Sequence, residues 1–101
     1  MKYYYLIIIT KGKVNLYENL DVLLINESCE LVDDKHIKYN NDIYEFEYLI
    51  YSNLVDIKNT FVICENEIPI TNYYHQTSLD HIYYINEDNL QETINDIINN
   101  E

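Results

Sequence analysis

A chain of 101 residues has room for one hydrophobic core, which excludes a second independent domain. Its apolar share of 48% is too high for intrinsic disorder, and two cysteines are too few for a disulfide scaffold. Eighteen acidic side chains against six lysines give a formal charge of −12, which disfavours nucleic acid and anionic membranes as partners.

The charge is uneven. Residues 1–38 carry five lysines against six acids, a net of −1, whereas residues 39–101 carry Lys58 against twelve acids, a net of −11. Alanine, arginine and tryptophan are absent and Gly and Pro occur once each, while Ile, Asn and Tyr abound. That bias matches AT-rich coding, as in a low-GC bacterium, a phage or another mobile element. It also leaves Asn and Asp as the turn formers. Cys29 and Cys64 form no CxxC pair, so free, buried thiols in a reducing, cytoplasmic setting are expected.

In chain order, Tyr3 to Thr10 predicts a first strand. Its unbroken apolar run suits burial on both faces, is too short for a membrane span, and lacks the small-residue cleavage site of a signal peptide. Lys11-Gly12 can close a tight turn into a second strand, with Val14 and Leu16 alternating against Asn15 and Tyr17; a short helix over 14–20 fits equally well. Residues 21–26 read as a strand. A hairpin follows, His36 to Tyr39 and Ile43 to Ser52 about Asn40-Asn41-Asp42. In its second arm the two-residue period sets Tyr44, Phe46, Tyr48 and Ile50 on one face and Glu45 and Glu47 on the other.

Thr60 to Cys64 predicts a further strand, Glu65-Asn66-Glu67 a turn, and Pro69 an edge strand or loop. Residues 71–81 are the least regular stretch and the natural place for a functional loop. Ile82 to Ile85 reads as a last strand. Beyond it Leu90, Ile94, Ile97 and Ile98 form the stripe of an amphipathic helix, with Asp88 and Gln91 spaced as a capping box. The expected fold is therefore α+β: one domain over 1–101, an antiparallel, hairpin-rich sheet of about five to seven strands, and a C-terminal helix packed on it.

Catalysis has little to stand on. Cys64, His75, Asp80 and His81 could form a thiol nucleophile with its base, but no local signature marks Cys64, and a cysteine ending an apolar strand usually behaves as a small hydrophobe. His75 and His81 lie six apart, wider than common zinc spacings. A lone Gly12 cannot build a phosphate loop. The sequence thus predicts a non-enzyme without metal or cofactor.

What remains is acidity beside tyrosine. Adjacent strand residues face opposite ways, so each doublet, Tyr73-Tyr74 and Tyr83-Tyr84 among them, is expected to set one ring inward and one outward. Tyrosine is enriched in binding surfaces because it joins a large apolar body to a polar tip. Glu45, Glu47, Glu65, Glu67, Tyr73, Tyr74, Glu87 and Asp88 are accordingly the candidate partner-binding residues. The expected function is inhibition of a basic protein such as a nuclease or nucleic-acid-binding defence complex, as a phage inhibitor or a toxin immunity protein would act. Two strand positions span about 6.6 Å, against one charge every ~1.7 Å of duplex DNA, so nucleic-acid mimicry requires several acidic elements to converge. The alternative is an assembly module that dimerises through a strand edge or an apolar sheet face.

Overall fold

The structure, a computed structural model, describes residues 2–15, 20–58 and 61–99. Its strands are β1 (Lys2–Ile9), β2 (Val22–Ile25), β3 (Cys29–Leu31), β4 (His36–Tyr39), β5 (Asp42–Ser52), β6 (Ile57–Lys58), β7 (Cys64–Glu65), β8 (Ile68–Pro69) and β9 (Ile82–Ile85). A 3-10 turn over Glu87–Asn89 leads into helix α1 (Leu90–Asn99). Seven strands join one sheet in the order β2-β1-β5-β4-β3-β6, with β9 also bonded to β5, while β7 and β8 form a separate hairpin. The α+β class, the strand number and the single C-terminal helix agree with the sequence. Among the described residues no helix is long and apolar enough to cross a membrane.

The pairing direction does not agree with an antiparallel, hairpin-rich sheet. Among the described residues four of the six pairings in the main sheet are parallel, including both flanks of β1. The reason lies in β1 itself. Leu6, Ile7, Ile8 and Ile9 are fully buried on alternating faces, which requires cover on both sides and favours a central position between parallel neighbours. Each such side chain contributes roughly 1.5–3 kcal/mol on burial. Lys11-Gly12 therefore does not close a hairpin; the chain crosses over and returns as β2 parallel to β1. Residues 13–15 have no regular structure, and 16–19, the rest of the predicted strand or helix, lie outside the described residues. Val14 packs into the helix-side core, and Gln91 holds Asn15 at both its N–H (3.1 Å) and its carbonyl (3.2 Å). Gln91 is thereby engaged elsewhere than in the predicted capping box, and Asn86, preceding the 3-10 turn, makes no side-chain cap either.

The hairpin of β4 and β5 forms as predicted, with Asn40 and Asn41 at φ 52° and 65°, the left-handed conformations a tight two-residue turn demands. Strand β5 is the backbone of the sheet. One edge bonds to β1, while the opposite edge is shared, first by antiparallel β4 over Asp42–Glu45 and then by parallel β9 over Leu49–Ser52. The sheet forks there. Side-chain alternation slips at the same place: Phe46 joins the core containing Ile7, Leu31, Ile37, Leu49 and Ile82, while Tyr48 and Ile50 join the core beneath α1. The predicted single face of Tyr44, Phe46, Tyr48 and Ile50 is thus split between two layers. The β4-β3 branch curls over one face of the parallel strands; Leu90, Ile94 and Ile97 of α1 cover the other. Thr60 lies outside the described residues, residues 61–63 are irregular, and the predicted strand there survives only as the two-residue β7.

The parallel strands end on a shared carboxylate. Glu87 accepts hydrogen bonds from the Thr10 hydroxyl after β1, from the Ser52 hydroxyl ending β5 (2.8 Å) and from the Lys11 N–H (3.2 Å). The Gly12 N–H donates to the Thr10 oxygen (3.0 Å). Burial would raise the Glu87 pKa, but these donated bonds outweigh it and hold the carboxyl below the usual range. A folded-state pKa that is depressed adds stability above the unfolded-state value, and that stability is lost as pH falls through the folded one. A Cβ on Gly12 would lie 2.7 Å from a Glu87 oxygen. Glu87→Ala is expected to lower the unfolding free energy by about 2–3 kcal/mol. Urea denaturation should show Gly12→Ala destabilising the native chain but costing far less in a Glu87→Ala background, the non-additivity expected of groups in contact.

Candidate functional site

The fork in the sheet creates a groove. At the handover Phe46 N–H donates to the Lys35 carbonyl (3.0 Å) and Leu49 N–H to the His81 carbonyl (2.9 Å). Between them the Glu47 carbonyl receives the His81 ring, Nδ1 at 3.0 Å. A carbonyl only accepts, so Nδ1 carries the hydrogen. The His81 ring stacks on Tyr48 with centroids 4.2 Å apart, and Tyr48 meets Tyr5 edge-on at 5.3 Å. His81 itself has φ 68°, a left-handed backbone that turns the loop back into β9. Tyr48, Tyr74, Gln76, His81, Tyr83 and Asp96 line a cavity of about 550 Å³ between this fork and the last turns of α1.

Residues 71–81 contain no strand, as expected, yet they are tightly bonded. The Asn72 side-chain oxygen accepts from the N–H groups of Tyr74 (2.9 Å) and Gln76 (3.0 Å), and its amide donates to the Gln76 side chain (2.7 Å). An Asn-centred turn of this kind replaces the backbone bonds that regular structure would supply. Thr77 N–H then donates to Ile82 and Tyr84 N–H to His75, binding the loop along the outer edge of β9. The turn holds Tyr73 90% exposed and Tyr74 60% exposed, their rings edge to face at 5.4 Å. A ring so exposed adds little to the stability of the isolated fold.

The predicted acids fall into three places. Glu47 belongs to the groove, its carboxylate 3.6 Å from His81 Nδ1. Glu45 stands in register with Tyr3 of β1 and His36 of β4 on adjoining sheet surface. This surface lies open because α1, ten residues or ~15 Å long, cannot span β5, eleven residues or roughly 36 Å. Glu65 ends β7 and Glu67 lies in the turn to β8, where it borders a different cavity, against Tyr51 and Tyr84 on the opposite face. Glu87 and Asp88 sit past the far end of β5, and Glu87 is already bonded within the fold. Glu87 is thus engaged within the fold, and the acids form no single phosphate-like row.

The Cys64 thiol donates to the Val62 carbonyl (3.5 Å), and His81 is committed to Glu47. Among the described residues no group of three or more His, Cys, Asp or Glu side chains converges to hold a metal ion. Sequence reasoning reached Tyr73, Tyr74 and Glu47, and the acidic surface of the helix that carries Asp96, but missed Tyr48 and Gln76. Tyr83 was within reach: its doublet does place one ring in the groove and the other, Tyr84, in the opposite cavity.

Cys29 is buried, as expected, and desolvation pushes its thiol up to about 12. Cys64 is exposed and not buried as expected, because the strand that carries it shrinks to the two exposed residues of β7. Iodoacetamide under native conditions should alkylate Cys64 alone, with Cys29 reacting only after unfolding, as peptide mass mapping would show. Comparison with family models, with curated proteins and with solved structures returned no match for this chain.

Proposed function

We propose that the chain is a non-enzymatic binding protein that docks its Tyr73-Tyr74 tip and the adjoining groove onto a basic protein surface. The observation that carries this reading is the Asn72 turn, which holds two exposed aromatic rings rigidly beside a tyrosine-lined groove with acids at its margin. Preformed aromatic tips of this sort lose little freedom on binding and are typical affinity anchors. Lysine or arginine side chains of the partner suit the rings through cation–π attraction and suit Glu47 and Asp96 through charge. The net charge of −12 supplies long-range attraction to such a surface. Inhibition of a basic nuclease or nucleic-acid-binding complex is the form of this activity we favour, by covering its cationic surface rather than by copying a phosphate row.

Pull-down from source cells, followed by kinetics with the recovered basic partner, tests the proposal. Tyr73→Ala and Tyr74→Ala should each weaken the complex about tenfold or more, chiefly through faster dissociation. Glu47→Lys should slow association, and rising salt should do the same. A complex indifferent to salt and to both tyrosine substitutions would overturn this reading.

A second reading rests on β2, which ends the sheet on its side and leaves Leu24 49% exposed. Such an edge can pair with a second copy of the chain. Sedimentation over a hundredfold concentration range distinguishes the two, since a constant monomer mass removes the dimer.

A further inference from the structure

On the sheet face opposite the groove, a cavity of about 240 Å³ opens between the parallel strands and the β7–β8 hairpin. Tyr51 lines it. That residue is 3% exposed, yet its hydroxyl is buried and has no hydrogen-bond partner among the described residues. Buried hydroxyls in folded proteins are nearly always paired, so one left without a partner on a residue that lines a cavity marks the place of a polar atom. Tyr84 meets Tyr51 edge-on at 5.2 Å, and Val55, Ile57 and Pro69 supply apolar walls. The charged residues of the lining, Asp56 and Glu67, are both acidic and both exposed.

We propose that this cavity is a second binding site, for a guanidinium or ammonium group carried on a short aliphatic stem. The stem fits the apolar walls, the cation meets the tyrosine rings, and an N–H donates to the Tyr51 oxygen. Asp56 and Glu67 complement the charge from the rim and repel anions. Burial keeps the Tyr51 phenol protonated well beyond its ordinary range, so the site offers a neutral hydroxyl rather than a competing anion. The cation can be a free amine or the arginine or lysine side chain of another protein. Lying on the opposite face, the site stands or falls separately from the tyrosine tip.

Titration of the full chain, with isotope-labelled tyrosines followed by NMR, tests the site in two arms: agmatine as the free cation and a short arginine-bearing peptide. Saturable shifts at Tyr51 and Tyr84 with agmatine, unmatched by the peptide, support a small-molecule amine; shifts with the peptide at equal or lower concentration support a protein side chain. Tyr51→Phe should weaken binding roughly tenfold, as expected for losing a hydrogen bond to a charged group. Asp56→Asn with Glu67→Gln should weaken it similarly without lowering the melting temperature, since both residues are exposed. Three results would overturn the proposal: no saturable shift in either arm, equal shifts with glycerol, or a Tyr51→Phe variant that melts higher while binding agmatine unchanged.

Discussion

The architecture turns on the hydrogen-bonding edge of β5. This strand outlasts every partner available to it, and a buried strand cannot leave its N–H and C=O groups unpaired. The chain resolves the shortage by giving one edge two successive partners, β4 and then β9, of opposite direction. Two strands arriving from different directions cannot meet without a gap, and the gap falls at Glu47. His81 fills it with a side-chain donor in place of a backbone one. The stacked Tyr48, the slip in alternation after Phe46 and the groove before α1 all follow from this substitution.

Much of the fold was legible because its signals are local. Asn40-Asn41 announced a hairpin through residues that tolerate left-handed backbone, and the stripe of Leu90, Ile94 and Ile97 announced α1 through its period. Strand direction was a different matter. Parallel partners are joined by long connections and leave no mark at the point of pairing. The unbroken apolar run of β1 was the available clue, since double-sided burial and parallel pairing go together. Turn chemistry alone pulled the reading toward hairpins. The capping box failed for a related reason: Gln91 has the right spacing for a local bond, but the crossover brings Asn15 to it from 76 positions away.

The candidate site divides in the same way. Tyr73 and Tyr74 stood out as aromatic residues in an irregular stretch, and among the described residues they are the most exposed rings. Tyr51 and Tyr48 lie inside a regular strand, where sequence reads a tyrosine as core, and only the fork and the second hairpin open cavities beside them. The acids illustrate the limit of composition. Total charge is fixed by sequence, but its usefulness to a partner depends on convergence. Here Glu47, Glu67 and Glu87 occupy three separate settings, one of them internal to the fold.

The centrality of β1 also shapes how the chain must reach its native state. During synthesis Leu6 to Ile9 leave the ribosome ahead of every element that covers them. One face awaits the β3-β4 branch, and the other awaits α1, which follows every strand of the sheet. Contacts of such sequence separation form slowly, because the closure entropy of the long loop must be met before burial rewards it. The nascent chain therefore carries a bare, strand-prone apolar segment until its last helix emerges, a period in which intermolecular pairing competes with folding. Mutual repulsion among highly acidic copies opposes that pairing, so the net charge of −12 shields the unfinished fold.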